Sequence, residues 1–185
     1  MKLFKSLYFG IALSAVVSSA QAGVIFEAIT VSDRTFSESG SAFDETDVYL
    51  RQFGTSAHWR SSLEFDVSSI TDFASINSAF FIFEARGTVA SGTTNVYAKE
   101  GNGVAEFSDI SSLGTGVGSF TNGTHQVFNV DITAGLSSVF DGSQDFIQLT
   151  LGNPGTTAFA GSDICSRDYT IVACVLPTLR IDYEE

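Results

Sequence analysis

Three groups of side chains in this sequence are equipped for chemistry. His58-Trp59-Arg60 sets an imidazole, an indole and a guanidinium side by side. An indole stacks on the flat face of a pyranose, while the two nitrogenous groups bond hydroxyls or carboxylates. Tyr49, Arg51 and Tyr97 are of types that extend such a platform. A structural reading stands beside this one: Trp59 covers the edge of a core at a strand entrance, and the other three pack against outward cross-strand neighbours. Asp44, Glu45 and Asp47 cluster oxygen ligands of the kind Ca²⁺ prefers, although their spacing matches no calcium-loop signature. Cys165 and Cys174, nine positions apart, read as a disulfide in an oxidising compartment, because a redox or metal pair would use the closer Cys-x-x-Cys spacing.

Catalytic arrangements are sparse. The chain has no Gly-x-Ser-x-Gly elbow, no His-x₃-His zinc pair and no phosphate loop, and His58 and His125 are its only histidines. The expectation is therefore a protein that is not an enzyme. Arg167 and Asp168 follow the first cysteine and suit an ion pair that orders the cysteine loop. Asn122-Gly123-Thr124 has the form of a glycosylation sequon.

These residues need strands to hold them. Leu63, Phe65 and Val67 fall on one face of Arg60 to Ile70, with Glu64 and Asp66 on the other, the period-2 pattern of a strand between core and water. Asp66 and Ser68 then mark a capped turn. The device recurs at Phe128 to Thr133, where Val130-Asp131-Ile132-Thr133 echoes Phe65-Asp66-Val67-Ser68 and Thr133 is placed to cap a short helical turn toward Phe140. Further strands are expected at 24–31, 48–53, 78–85, 95–99, near 117–120, around Ile147 to Leu151, near 157–160, and at Leu179 to Ile181. Ser32 to Thr46, Arg86 to Thr93 and most of Glu100 to Thr124 read as loops. Eight to ten short strands, glycine-rich turns and two prolines give an all-β fold, a jelly-roll sandwich of two antiparallel sheets.

Residues 1–22 have a positive start at Lys2 and Lys5, an apolar stretch from Leu7 to Val17 and the small-x-small site Ala20-Gln21-Ala22, the signature of a cleaved signal peptide. The expectation is one domain over 23–185, secreted to the periplasm or the extracellular space, with no membrane insertion after cleavage. The formal net charge of −12 becomes −14 without Lys2 and Lys5, which repels nucleic acid and anionic polymers.

Arg60-Ser61-Ser62-Leu63-Glu64-Phe65-Asp66-Val67-Ser68-Ser69-Ile70, followed by Ile76-Asn77-Ser78-Ala79, resembles the central strand of the DNRLRE-type secreted β-sandwich domains, relatives of carbohydrate-binding modules. Phe128 to Thr133 is similar to their later Asp-Val-Thr step. Ser166-Arg167-Asp168 with Pro177 to Tyr183 is similar to their closing strand. The resemblance runs over roughly residues 42 to 183 and implies a non-catalytic binding module, with an extracellular or cell-surface polysaccharide as the ligand class. Trp59, Tyr49, Arg51, His58 and Arg60 are the candidate contacts, and a structural Ca²⁺ is the candidate cofactor. A structural or matrix protein of the cell surface, acting by self-association or protein contact, is the alternative.

Overall fold

Alternation at a period of two residues builds the strands, and it is clearest in the last one. In Thr178–Glu184, Leu179, Ile181 and Tyr183 are buried and their neighbours are half-exposed. The structure, a computed structural model, describes residues 23–37, 49–50, 59–71, 73–90, 92–123, 126–152, 161–168 and 173–185, with the backbone alone at 49–50, 59 and 88–90. Among these residues the chain forms β1 (Val24–Ile29), β2 (Ser32–Ser37), β3 (Tyr49–Leu50), β4 (Trp59–Asp66), β5 (Ser75–Ala90) and β6 (Thr93–Glu100). Then come α1 (Phe107–Ser111), β7 (Thr115–Thr121), β8 (Gln126–Asp131), α2 (Thr133–Leu136), β9 (Phe146–Gly152), β10 (Gly161–Cys165) and β11 (Thr178–Glu184).

The strands make an all-β sandwich of two antiparallel sheets. One runs β1-β11-β5-β10-β3, with β8 on the other side of β5; the second runs β2-β4-β9-β6-β7. The 16-residue β5 is long enough to take β11 along its first half and β10 along its second. From β3 to β6 each connection crosses between the sheets, as jelly-roll wrapping requires.

Phenylalanine fills the gap between the sheets. Phe65 of β4 meets Phe81 of β5 edge-on at 6.3 Å, and Phe83 stacks on Phe128 at 5.1 Å while touching Phe120 at 4.8 Å. Leu63, Leu149, Leu151, Leu179 and Ile181 pack around them with no exposure. Fully burying one such side chain stabilises by about 1.5–3 kcal/mol, so this cluster is the main favourable term of the fold. One end is closed by α2, where Gly135 lies so close to Val117 that a Cβ would strike its backbone.

An aspartate-hydroxyl turn forms twice, but Thr133 does not cap α2 as expected: Ile132 stands at the N-cap with no side-chain bond, and the Thr133 hydroxyl is taken up by Asp131 and the Ala79 amide. The Asp66 carboxylate accepts from the Ser68 amide at 3.0 Å and its hydroxyl at 2.6 Å, and Asp131 accepts from the same groups of Thr133 at 2.9 and 2.6 Å. Both carboxyls are held below the usual range by these bonds. The disulfide between Cys165 and Cys174 is present, so β10 is tied to the segment leading into β11.

Several expectations are corrected. The stretch from Ser32 to Ser37 is a strand, because β4 offers it a full antiparallel register from Glu64 to Trp59. The stretch after Arg86 stays in the sheet to Ala90, because β10 pairs with it. Glu64 points away from the core as read, yet its exposure is 0%. The glycine-rich chain from Gly101 to Leu113 covers it and contains α1. The signal-peptide region 1–22, the acidic residues Asp44, Glu45 and Asp47, the residues Arg51 and His58, and the strand expected at 157–160 lie outside the described residues.

Candidate functional site

A candidate site lies on the outer face of the five-stranded sheet. Its strands set polar residues outward in cross-strand rows. Ser32, Glu64, Gln148 and Lys99 form one row, and Arg34, Ser62, Thr150 and Tyr97 the next. Such a face would normally meet water. Here the chain leaving β6 folds back over it. Gly101 donates to the carbonyl of Phe146, the Gly103 amide to Glu64 Oε2 at 3.2 Å, and the Ala105 amide to Ser32 Oγ at 2.9 Å. A Cβ at Gly101 would collide with Glu64 Oε2, so the close passage needs glycine.

The covering chain then turns into α1, whose first turn is closed by a capping box between Glu106 and Asp109. Asp109 Oδ2 accepts from the Glu106 amide at 2.7 Å and from Ser62 Oγ at 3.2 Å, while Asp109 Oδ1 lies 3.6 Å from Lys99 Nζ. Gln148 Nε2 donates to Thr150 Oγ1 at 2.7 Å and more weakly to the Asp109 carbonyl at 3.4 Å. Ser62, Glu64, Asp109, Gln148 and Thr150 are all buried, so the seam between sheet and cover is a closed polar layer. Within it, Glu64 Oε1 and Gln148 Oε1 have no hydrogen-bond partner among the described residues. Burial is the largest cause pushing the Glu64 carboxyl up to about 7; the Gly103 amide opposes it, Asp109 adds to it, and Lys99 lowers it.

Two cavities open at the margins of the cover. One, of about 280 Å³, is lined by Arg60, Phe107, Ile110 and Ser111. Arg60 Nη1 donates to the Ile110 carbonyl at 2.6 Å, and its stem crosses Gly152, where a Cβ would stand 2.8 Å from Arg60 Cγ. The ring of Phe107 rests edge-on against Phe36 at 6.2 Å and is still 41% exposed. The other cavity, also about 280 Å³, is lined by Lys99, Glu100, Gly101, Asn102, Asp109 and Gln148.

A third, polar cavity of about 210 Å³ lies where β2 meets the chain after β10, lined by Ser32, Asp33, Arg34, Arg167 and Asp168. The Arg167–Asp168 ion pair is present at 3.5 Å, and the Arg167 amide donates to Asp33 Oδ2 at 2.8 Å. Burial, more than the neighbouring Asp168 charge, pushes Asp33 up to about 6.

Of the candidate contacts, the described side chain of Arg60 lines the Phe107 cavity. Trp59 stands on β4 opposite Ser37, and Tyr49 stands on β3 opposite Cys165, so their backbones belong to different sheets. Tyr97 faces outward on β6 beside Thr150. Among the described residues no group of three or more His, Cys, Asp or Glu is placed to hold a metal ion. No helix among them is long and apolar enough to cross a membrane. The sequon asparagine is enclosed: Asn122 is 8% exposed and its Oδ1 accepts from Thr94 and Ser162. No protein-family model matches the chain, and no curated protein matches its sequence.

Phe107, Asp109 and Glu64 are the residues that pattern reading missed. Their signal was present in part: Glu106-Phe107-Ser108-Asp109 has an acid at each end of a four-residue span, which is helix-start chemistry.

Proposed function

We propose that the chain is an exported, non-catalytic β-sandwich that binds carbohydrate on the outer face of its five-stranded sheet. One observation carries this reading: the half-exposed Phe107 ring shares an open cavity with Arg60 and Ser111. A ring for stacking, a fixed guanidinium and a hydroxyl beside a small cavity are the parts a sugar site needs. The motif likeness to DNRLRE-type domains supports the same ligand class, and the disulfide fits an oxidising compartment.

The test is a glycan array with the purified protein, with and without Ca²⁺, repeated for Phe107→Ser and Trp59→Ala. Binding lost in Phe107→Ser with an unchanged circular dichroism spectrum supports the site. A blank array in both conditions removes the reading. Calcium-dependent binding would assign a role to Asp44, Glu45 and Asp47.

Self-association is the second reading, favoured by Ile25 and Ile29, which are 57% and 54% exposed on β1 at the end of the six-stranded sheet order. Sedimentation over a range of concentrations separates the two, since a strict monomer excludes assembly through that strand.

A further inference from the structure

Asn102-Gly103 and Asn122-Gly123 are the Asn-Gly pairs of this chain. A glycine nitrogen carries no side chain beside it to shield it, and it lies within reach of the side-chain carbonyl carbon of the preceding asparagine, with which it can close a five-membered imide. The fold treats the two pairs differently. We propose that the folded protein modifies itself at Asn102, the Gly103 nitrogen displacing ammonia from the Asn102 side chain, while Asn122 is spared.

The groups that this reaction needs are gathered around Asn102. The proton of the nucleophile is already aimed at a base, because the Gly103 amide donates to Glu64 Oε2 at 3.2 Å. The Asn102 amide bonds the same carboxyl, so the cover chain is held against Glu64 at two successive residues. As the nitrogen attacks, negative charge gathers on Asn102 Oδ1, and that oxygen accepts from the Val104 amide at 2.9 Å. Asn102 is exposed and lines the cavity beside Lys99 and Glu100, which gives ammonia an exit and water an entrance. The other pair is enclosed. Asn122 is 8% exposed, and its Oδ1 is clamped by the hydroxyls of Thr94 at 2.8 Å and Ser162 at 3.2 Å. Its side chain cannot turn toward the Gly123 nitrogen without breaking both bonds.

The step balances. Glu64 takes the Gly103 proton as the N–Cγ bond forms, and returns it to Asn102 Nδ2, which leaves as ammonia when the Cγ–Nδ2 bond breaks. One water then adds across either C–N bond of the imide, restoring the Gly103 N–H. Opening on one side leaves aspartate at position 102, and opening on the other leaves isoaspartate, whose backbone runs through the side-chain carbons. The net change is one water in and one ammonia out, with no oxidant. Either product places a new carboxylate in the cover chain next to Glu64. Isoaspartate also lengthens the backbone between Gly101 and Gly103, the residues whose amides tie the cover to Phe146 and Glu64. The modification therefore loosens the cover at its first two anchors.

The experiment follows the purified full-length chain at neutral pH, folded in one series and unfolded in guanidinium in another. Timed samples are reduced, alkylated, digested with trypsin and fragmented in a mass spectrometer. Both pairs lie in the piece from Glu100 to Arg167. In the folded series this piece should gain the mass difference between a hydroxyl and an amino group at Asn102 and keep Asn122 intact, with the imide, lighter by one ammonia, as its precursor. Conversion of Asn102 should be faster folded than unfolded. An equal or slower folded rate, or conversion of Asn122 alongside Asn102 in the folded chain, would overturn the proposal. Asn102→Gln should abolish the gain at that position, since its imide ring would be larger and closes more slowly. Glu64→Gln, with its β-sheet spectrum unchanged, keeps an acceptor without the base and should slow the folded reaction by about tenfold or more. An unchanged rate in that variant would overturn the part assigned to Glu64.

Discussion

Glu64 and Gln148 stand opposite each other on β4 and β9, and each carries a buried side-chain oxygen that no described residue reaches. Two acceptors facing an enclosed layer are costly together while Glu64 is ionised, and less so when it carries a proton to donate. The layer is therefore sensitive to proton concentration.

Stability should fall as pH rises toward neutrality. Glu64 is raised from 4.5 to about 7 and Asp33 from 3.8 to about 6, so the folded chain binds more protons than the unfolded one across that range. The favourable contribution is complete below the unfolded values and is lost as pH passes through the folded ones. For Glu64 it amounts to about 3 kcal/mol. Asp66, Asp131 and Asp141 are lowered by their serine and threonine partners, so their contribution is lost on the acid side. Urea midpoints from pH 3 to 8 should trace a dome peaking at about pH 4–5. Glu64→Gln should flatten its alkaline side; an unchanged slope would show that Glu64 does not govern it.

Phe83→Ala should remove about 3–5 kcal/mol, because the ring touches Phe81, Phe120 and Phe128 and has no exposure. Thermal unfolding followed by near-ultraviolet circular dichroism measures it. A loss below about 1 kcal/mol would mean that the aromatic cluster repacks.

Gly101→Ala should destabilise by about 1–3 kcal/mol, because the new methyl meets Glu64 Oε2 and lies 3.1 Å from the Gln148 amide nitrogen. The effect should shrink in a Glu64→Ala background. A double-mutant cycle reads that coupling, and additive losses would place the strain elsewhere.

Replacing both Cys165 and Cys174 by alanine should cost about 2–3 kcal/mol through the unfolded chain. The same midpoint shift should appear when the unaltered protein is reduced. If reduction leaves the midpoint unmoved, the bond contributes little to the fold.

Much of the sandwich was legible because its strands alternate cleanly. Leu63 and Phe65, Val96 and Ala98, Ile147, Leu149 and Leu151, and Leu179 and Ile181 all face the core as their period-2 spacing implied. The Asp66 turn was legible because a carboxylate two residues before a hydroxyl is a local device, whereas the cap expected from Thr133 is not made because that hydroxyl bonds Asp131 and the Ala79 amide instead. The cover over Glu64 was not, since its bonds reach 39 residues along the chain and Gly101 to Leu113 shows no periodicity. Strand β2 was hidden for a related reason: SDRTFS is polar, and it is a strand because β4 pairs with it. At the candidate site, Arg60 was found from its neighbours in sequence, whereas Phe107 arrives beside it only through the fold-back of α1.

The pairing of β1 with β11 bears on how the domain yields to force. Val24 lies opposite Tyr183 and Ile29 opposite Thr178, so Gly23 and Glu185 emerge side by side at one end of an antiparallel pair. Tension applied between those two residues loads the rung nearest to them first. The strands then part like a zipper, one pair at a time, instead of sharing the load in shear. β1 should peel away under small forces, while β5, gripped by β8, β10 and β11, holds until the sheet itself ruptures.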